Sequence, residues 1–322
     1  MASGGVKVKG FASSLFELVT VAPPARTRGT TRQQFFAVGI TVWQYLKTRL
    51  PFLNNLSYIV GVLAIKLFPP VSTEATAGLP WGTGAIVIPA GSPSTRIYLA
   101  GRYEIEVVQK IQSLPLDVPG TVAVDVGAHV GYYTKLMADC VGSAGAVFAF
   151  EPNPISFEYL KRNTHRQHDA PLYLFPEAVG AETTRGFLDN IYTLEHGMIR
   201  SSGHTGSYSV PVTTLDNILW SSRPDSSPGR LGLIKVDTEG FEVNVIAGAT
   251  GLFKKHPEVS LIIEHQELPE NDSYRQLAYL LLSSGFSSYQ ILERGTWHDL
   301  ADPFPFPTHR IVYNLYLPPR GS

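Results

Sequence analysis

Residues 122–134 read VAVDVGAHVGYYT: an apolar run carrying one acid, Asp125, then a turn flanked by Gly127 and Gly131 that opens a helix. A strand, a glycine turn and a helix in that order can hold a small ligand. Glycine lets the backbone turn sharply and come close to a ligand, and the first N–H groups of a helix lack partners. The spacing is G-x-x-x-G, with Ala128 and His129 inside the turn. A dinucleotide site reads G-x-G-x-x-G. The difference weakens a pyrophosphate reading and favours a ligand with an amine and a carboxylate, held by Asp125 and the turn. Glycine turns also arise for steric reasons alone, and the next apolar run tips the balance. There FAFEPNP places Glu151 at the carboxyl end of a strand. Open α/β sheets bind ligands at that end, and a carboxylate there can accept both hydroxyls of a ribose. Pro152 and Pro154 stop the strand and start the next helix, so Glu151 is presented at the rim.

These residues need a sheet to hold them, and the chain supplies the pattern for one. Short β-branched apolar runs at 122–126, 146–150, 172–175, 233–237, 259–264, 288–292 and 311–316 read as strands. Segments with helical spacing at 131–139, 154–167, 242–252 and 273–284 read as helices. Strand–helix alternation argues for a doubly wound, mostly parallel Rossmann-like α/β sheet. The stretch 185–215 breaks the rhythm with Gly and Ser clusters and an alternating run at 207–213, and reads as an inserted antiparallel hairpin or loop.

A break at Pro69–Pro70 and the small, polar stretch 71–84 divides the chain into an N-terminal helical extension, 1–84, and a domain spanning 85–322. The apolar runs 35–46 and 57–68 are each too short to span a bilayer. They read as helices that pack on the body of the protein or form a homodimer contact. Alternatively they make a peripheral membrane contact through Phe35, Phe36, Trp43, Phe52 and Leu53, supported by Lys47 and Arg49. A formal net charge of −1 and the lack of a Lys/Arg run disfavour nucleic acid as a partner. The single cysteine, Cys140, excludes an intrachain disulfide framework and a Cys-rich zinc site. It fits a cytoplasmic location, with membrane association if the N-terminal helices touch lipid.

Taken with LIKVDTEGFEVNVIAGA at 233–249, the sequence resembles the FkbM family of S-adenosylmethionine-dependent methyltransferases. The resemblance also rests on RYEIEVV at 102–108, PEAVG at 176–180, VTTLDNIL at 212–219 and LIIEH at 261–265, and it covers roughly 97–292. It departs at His129, where the family usually has asparagine. It implies the seven-stranded methyltransferase sheet with one antiparallel strand, for which the run at 311–316 is the candidate. It further implies an O-methyltransferase acting on a hydroxyl of a sugar, glycolipid or polyketide-type natural product.

On that reading Asp125, Gly127, Gly131 and Thr134 hold the methionine end of S-adenosylmethionine, Glu151 the ribose, and Ala178 and Val179 the adenine. O-methylation needs the acceptor oxygen in line with the methyl group and a way to remove its proton. Asp237 ends the fourth strand, beside the first, with Lys235 and Glu239 flanking it; these three are either catalytic or an ion-pair cluster that pins the turn before Gly240. His265, at the end of the fifth strand, is either a general base or a hydrogen-bonded structural residue. Asp237, Glu264 and His265 could instead hold a divalent cation, Mg²⁺ or Mn²⁺, that acidifies the hydroxyl. A nicotinamide-dependent oxidoreductase lacks support, since the third glycine and a Tyr-x-x-x-Lys pair are missing. The remaining alternative is a non-catalytic cofactor-binding or assembly protein on the same fold.

Overall fold

The computed structural model describes residues 74–82, 84–89, 103–165, 169–189, 199–200, 202–203, 207–221, 229–266, 273–300 and 312–320. The apolar runs 35–46 and 57–68 lie outside these. Residues 1–103 and 104–322 form two compact units. The described part of the first contains a hairpin, β1 (Ala75–Gly78) paired antiparallel with β2 (Ala85–Ile88).

The second unit opens with α1 (Ile105–Ser113), followed by β3 (Val122–Val126), α2 (Tyr132–Val141), β4 (Ala146–Phe150), α3 (Pro154–Thr164) and β5 (Leu172–Phe175). Every residue of β3 and β4 is buried, as expected for strands covered on both faces. Next come β6 (Ala178–Val179), β7 (Thr184–Leu188), β8 (Ile199–Arg200) and β9 (Tyr208–Thr213). The chain continues through α4 (Leu215–Ser221), β10 (Leu231–Asp237), α5 (Glu242–Ala247), α6 (Thr250–Lys255) and β11 (Ser260–Gln266). It closes with α7 (Ser273–Ser283), β12 (Tyr289–Glu293), β13 (Thr296–Leu300) and β14 (Val312–Leu317).

Among the described residues the main sheet has the order β13-β12-β14-β11-β10-β3-β4-β5. The five strands β11, β10, β3, β4 and β5 are parallel, and β14 inserts antiparallel between β11 and β12. The seven strands expected from sequence are all present, with β14 as the antiparallel one. An eighth, β13, was not anticipated. It is added at the edge by a two-residue hairpin turn in which Arg294 (φ 50°) and Gly295 (φ 80°) both take positive φ, the conformation of a type I′ turn.

The stretch 185–215 is the expected insertion. It builds a second sheet of order β6-β9-β7-β8, antiparallel except where β6 pairs with β9. One departure concerns 242–252, which is two short helices and not one. Gly248 lies between them, and a β-carbon there would meet the Gly180 carbonyl oxygen at 1.9 Å. The second helix, α6, starts where the Asp216 carboxylate from α4 accepts the N–H groups of Gly251 (2.9 Å) and Leu252 (2.7 Å).

The strand alternation sorts the sheet's two faces. Val122, Val124, Val126, Ile234, Val236, Leu261 and Ile263 share one core with Val245, Ile246, Leu252, Phe253, Leu277 and Leu281 of α5, α6 and α7. Asp125, Lys235, Asp237 and Glu264 therefore belong to the opposite face, where α2 packs against β3 and β4 and α1 packs against α2. No helix among the described residues is long and apolar enough to cross a membrane.

Candidate active site

The turn after β3 is held against the end of β4, where Gly127 and Ala128 donate their N–H groups to the Phe150 carbonyl at 3.0 and 2.9 Å. This brings Glu151 under the turn. One Glu151 oxygen accepts the His129 N–H (2.8 Å) and the other the Asn153 N–H (2.8 Å). Burial pushes the Glu151 carboxyl up to about 7, against the lowering effect of those two N–H groups. Asn153 in turn caps α3, accepting from the N–H groups of Ile155 (2.9 Å) and Ser156 (3.3 Å).

Asp125 is fully buried on β3. Thr134 on α2 donates to its Oδ2 at 2.6 Å, while Oδ1 is buried without a hydrogen-bond partner. Burial raises its pKa, opposed by Lys235 and by the Thr134 hydroxyl. A buried acceptor with an open lone pair is what a ligand's N–H or O–H group would satisfy.

Packing alone requires glycine at both positions. A β-carbon on Gly127 (φ 82°) would fall on the Asp237 carbonyl, and one on Gly131 (φ 90°) would meet Leu160 of α3 at 2.9 Å. In both places the direction a side chain would take is filled by this chain's own atoms. His129 also has positive φ (50°), a conformation for which Asn and His are among the more tolerant non-glycine residues. That accounts for a histidine where asparagine is usual. Burial lowers the His129 pKa to about 4, so the ring is neutral at pH 7.

Beside Asp125 the sheet places a row of polar side chains on one face. Lys235 pairs in register with Asp125, Asp237 with Glu264, and Glu264 with Asn314. The Lys235 ammonium donates to Asp237 Oδ2 at 2.9 Å and lies 4.2 Å from the centre of the Tyr133 ring. Burial alone would lower its pKa, but Asp237, Asp125, Glu104 and Glu264 together hold it above the ordinary lysine value. Burial pushes Glu264 up to about 10, aided by Asp237, Glu104 and Glu239 and opposed by Lys235. Glu239 (φ 54°) and Gly240 (φ 102°) form the turn that follows.

Glu104 belongs to this cluster and was missed from sequence. It accepts the Tyr133 hydroxyl at 2.5 Å and the Asn314 side-chain amide at 3.4 Å. Burial raises its pKa, opposed by Lys235. The RYEIEVV motif flagged the segment, but no spacing rule connects Glu104 to residues 29 and 210 positions away.

His265 does not join the cluster. It follows Glu264 on β11 and so points to the other face, where its Nδ1 is 3.3 Å from Glu242 Oε2 and only 1% of its surface is exposed. Glu242, fully buried, also accepts the Gly240 N–H (2.8 Å) and the Thr238 hydroxyl (3.0 Å). His265 thus buttresses the turn after Asp237, which fits the structural one of the two readings its sequence position allowed. The metal set Asp237, Glu264 and His265 is split across the sheet. Among the described residues no group of three or more His, Cys, Asp and Glu side chains is arranged to hold a metal ion. Ala178 and Val179 are buried, Ala178 with Val210 and Val212 against Phe241 and Val179 in the main core, so their side chains are committed to packing.

An open parallel sheet with an acid on the first strand, a second acid at the end of the next, and a polar row on the fourth defines a Rossmann-like methyltransferase fold. The family model described as the methyltransferase FkbM domain matches residues 125–288, and the chain belongs to that family. A curated relative, the hexuronic acid methyltransferase AglP of Haloferax volcanii, is 30% identical over 132 residues, 39% of this chain and 48% of the relative. The chain thus spans about half the length of that relative. A solved structure of methyltransferase FkbM from Methylobacillus flagellatus KT is 18% identical with a TM-score of 0.38, over 69% of this chain and 52% of that one. A SAM-dependent methyltransferase from Aquifex aeolicus is 15% identical with a TM-score of 0.35, over 70% and 93% respectively.

Proposed function

We propose that the protein is an S-adenosylmethionine-dependent O-methyltransferase acting on a hydroxyl of a sugar or sugar-containing acceptor such as a glycolipid. The observation that carries this reading is the adjacency of two half-sites at one rim of the sheet. Asp125, with its open buried oxygen, and Glu151, with both oxygens oriented by backbone N–H groups, form one. The Lys235–Asp237 pair on the neighbouring strand forms the other. The relative's action on a hexuronic acid supports a sugar acceptor.

The residues present fit the cofactor. Asp125, positioned by Thr134, would hold the amino-acid end, and Glu151 would accept the ribose hydroxyls. When bound, S-adenosylmethionine supplies a methyl group already activated by its sulfonium. The protein's share is therefore position and proton removal. The Asp237 carboxylate receives the acceptor hydroxyl's proton. Lys235 holds that carboxylate in place, and Glu239 shapes the rim beside it.

Calorimetric titration with S-adenosylhomocysteine tests the cofactor half, with Glu151→Ala as the control. Micromolar binding that disappears in the variant supports the reading, and absence of binding by the unaltered protein overturns it. Asp237→Asn tests the transfer half. It should retain S-adenosylhomocysteine binding while methylation of a hydroxylated acceptor falls by about 10²–10⁴-fold.

A further inference from the structure

Lys235 sits within electrostatic reach of Asp237, Asp125, Glu104 and Glu264, yet its hydrogen bond goes to Asp237 alone. Asp237 lies two residues along the same face of β10, and burial raises the other three carboxyls, so register and charge both favour it. The ammonium is also bounded on one side by the Tyr133 ring, whose centre lies 4.2 Å from it. A cation on an aromatic face is attracted and confined there. It leaves Lys235 free to donate away from the ring, toward Asp237.

The ring must itself be held. Tyr133 lies in the first turn of α2, and its hydroxyl donates to Glu104 Oε2 at 2.5 Å. Glu104 is unusual in two respects. It precedes α1 in a left-handed conformation (φ 42°, ψ 53°), which costs a non-glycine residue about 1–2 kcal/mol. An acid at the start of a helix normally recovers stability by accepting an N–H group of the first turn, and the Glu104 side chain makes no such bond. Its carboxylate is directed instead to Tyr133 and to Asn314 of β14. Two partners from distant parts of the chain fix it, and it fixes the ring.

We propose that Glu104 is a positioning residue of the transfer site: by anchoring the Tyr133 hydroxyl it holds the aromatic ring against Lys235 and so directs the ammonium to Asp237. The proposal rests on the reading of Asp237 as the proton acceptor for its functional meaning, although the Glu104–Tyr133–Lys235 chain can be tested by itself. Without the ring, the ammonium would lose one of the two groups that bound it, and its contact with Asp237 would be less fixed.

The test is an NMR measurement on the full chain with lysine side chains selectively ¹³C-labelled, Lys235 being assigned with Lys235→Arg. The Lys235 methylene signal should be displaced upfield by the Tyr133 ring current, and Tyr133→Leu should abolish the displacement. Glu104→Ala and Tyr133→Phe, which cut the anchor in two different ways, should each remove more than half of it. Glu104→Gln, whose amide oxygen can still accept the tyrosine hydroxyl, should restore most of it. Retention of the full displacement in Tyr133→Phe overturns the proposal even if Glu104→Ala fails to fold, and failure of Glu104→Gln to rescue a folded protein overturns it as well. S-adenosylhomocysteine titration of the same samples separates the two ideas. Absence of binding by the unaltered protein rejects the methyltransferase reading, whereas a displacement that persists in Tyr133→Phe, or is not restored in folded Glu104→Gln, rejects the role of Glu104.

Discussion

The backbone carbonyl oxygen of Asp237 lies 1.7 Å from where a β-carbon on Gly127 would stand. The first turn and the end of the fourth strand are therefore in direct backbone contact, and the proposed cofactor and transfer residues are spaced by that contact. Gly127→Ala should displace one of the two segments and lower stability by several kcal/mol. Gly142 provides the comparison, since it also has positive φ (60°) but open space around it. Gly142→Ala should cost only the conformational penalty of its φ 60°, ψ −171° backbone, about 1–3 kcal/mol. Denaturant midpoints of the two variants would reveal the difference, and equal losses would refute a role for the Asp237 contact.

Acid should weaken cofactor binding. In the unliganded protein Glu151 titrates at about 7, and the ribose hydroxyls need its ionised form. Affinity for S-adenosylhomocysteine should be about tenfold lower at pH 6 than at pH 8, with proton release on binding near neutrality. Glu151→Gln should flatten that dependence. The effect of Glu151 on folding has the opposite sign: its folded pKa is raised from 4.5, so its contribution favours folding at low pH and is lost as pH rises through about 7.

His265→Ala should act on stability before it acts on chemistry. The substitution leaves one oxygen of buried Glu242 without its ring partner, and leaving a buried polar group unpaired costs about 1–3 kcal/mol. Thermal melting should show the loss, while the pH profile of methylation by the surviving folded protein should keep its shape. A profile that loses its acidic limb would restore His265 as a proton acceptor.

Asp216→Ala should loosen α6. The carboxylate accepts two N–H groups at the start of that helix, and loss of a cap costs about 0.5–2 kcal/mol. Hydrogen exchange should quicken at Gly251 and Leu252, and unchanged protection there would contradict the assignment.

How much of this could be read in advance differs between elements. β3 and β4 were legible because strands buried on both faces are written as unbroken apolar runs, and Asp125 and Glu151 were conspicuous within and after them. The single expected helix at 242–252 was not, because the contact that breaks it, Gly248 against the Gly180 carbonyl, joins positions far apart in the chain. β13 was missed for a different reason: Thr296–Leu300 alternates at an edge where only two of its side chains are even partly buried, so it has little apolar signature.

By itself, the sequence determined the mostly parallel sheet, seven of its strands in order and the family, and it singled out the acids proposed for the cofactor, since periodicity and local motifs are properties of neighbouring residues. Only the tertiary structure decided which side chains meet. Glu264 and His265 are adjacent in sequence yet face opposite sides of the sheet, because successive side chains on a strand alternate. Glu104 and Asn314 lie at opposite ends of the domain yet share a hydrogen bond, because antiparallel β14 returns the end of the chain to the same rim.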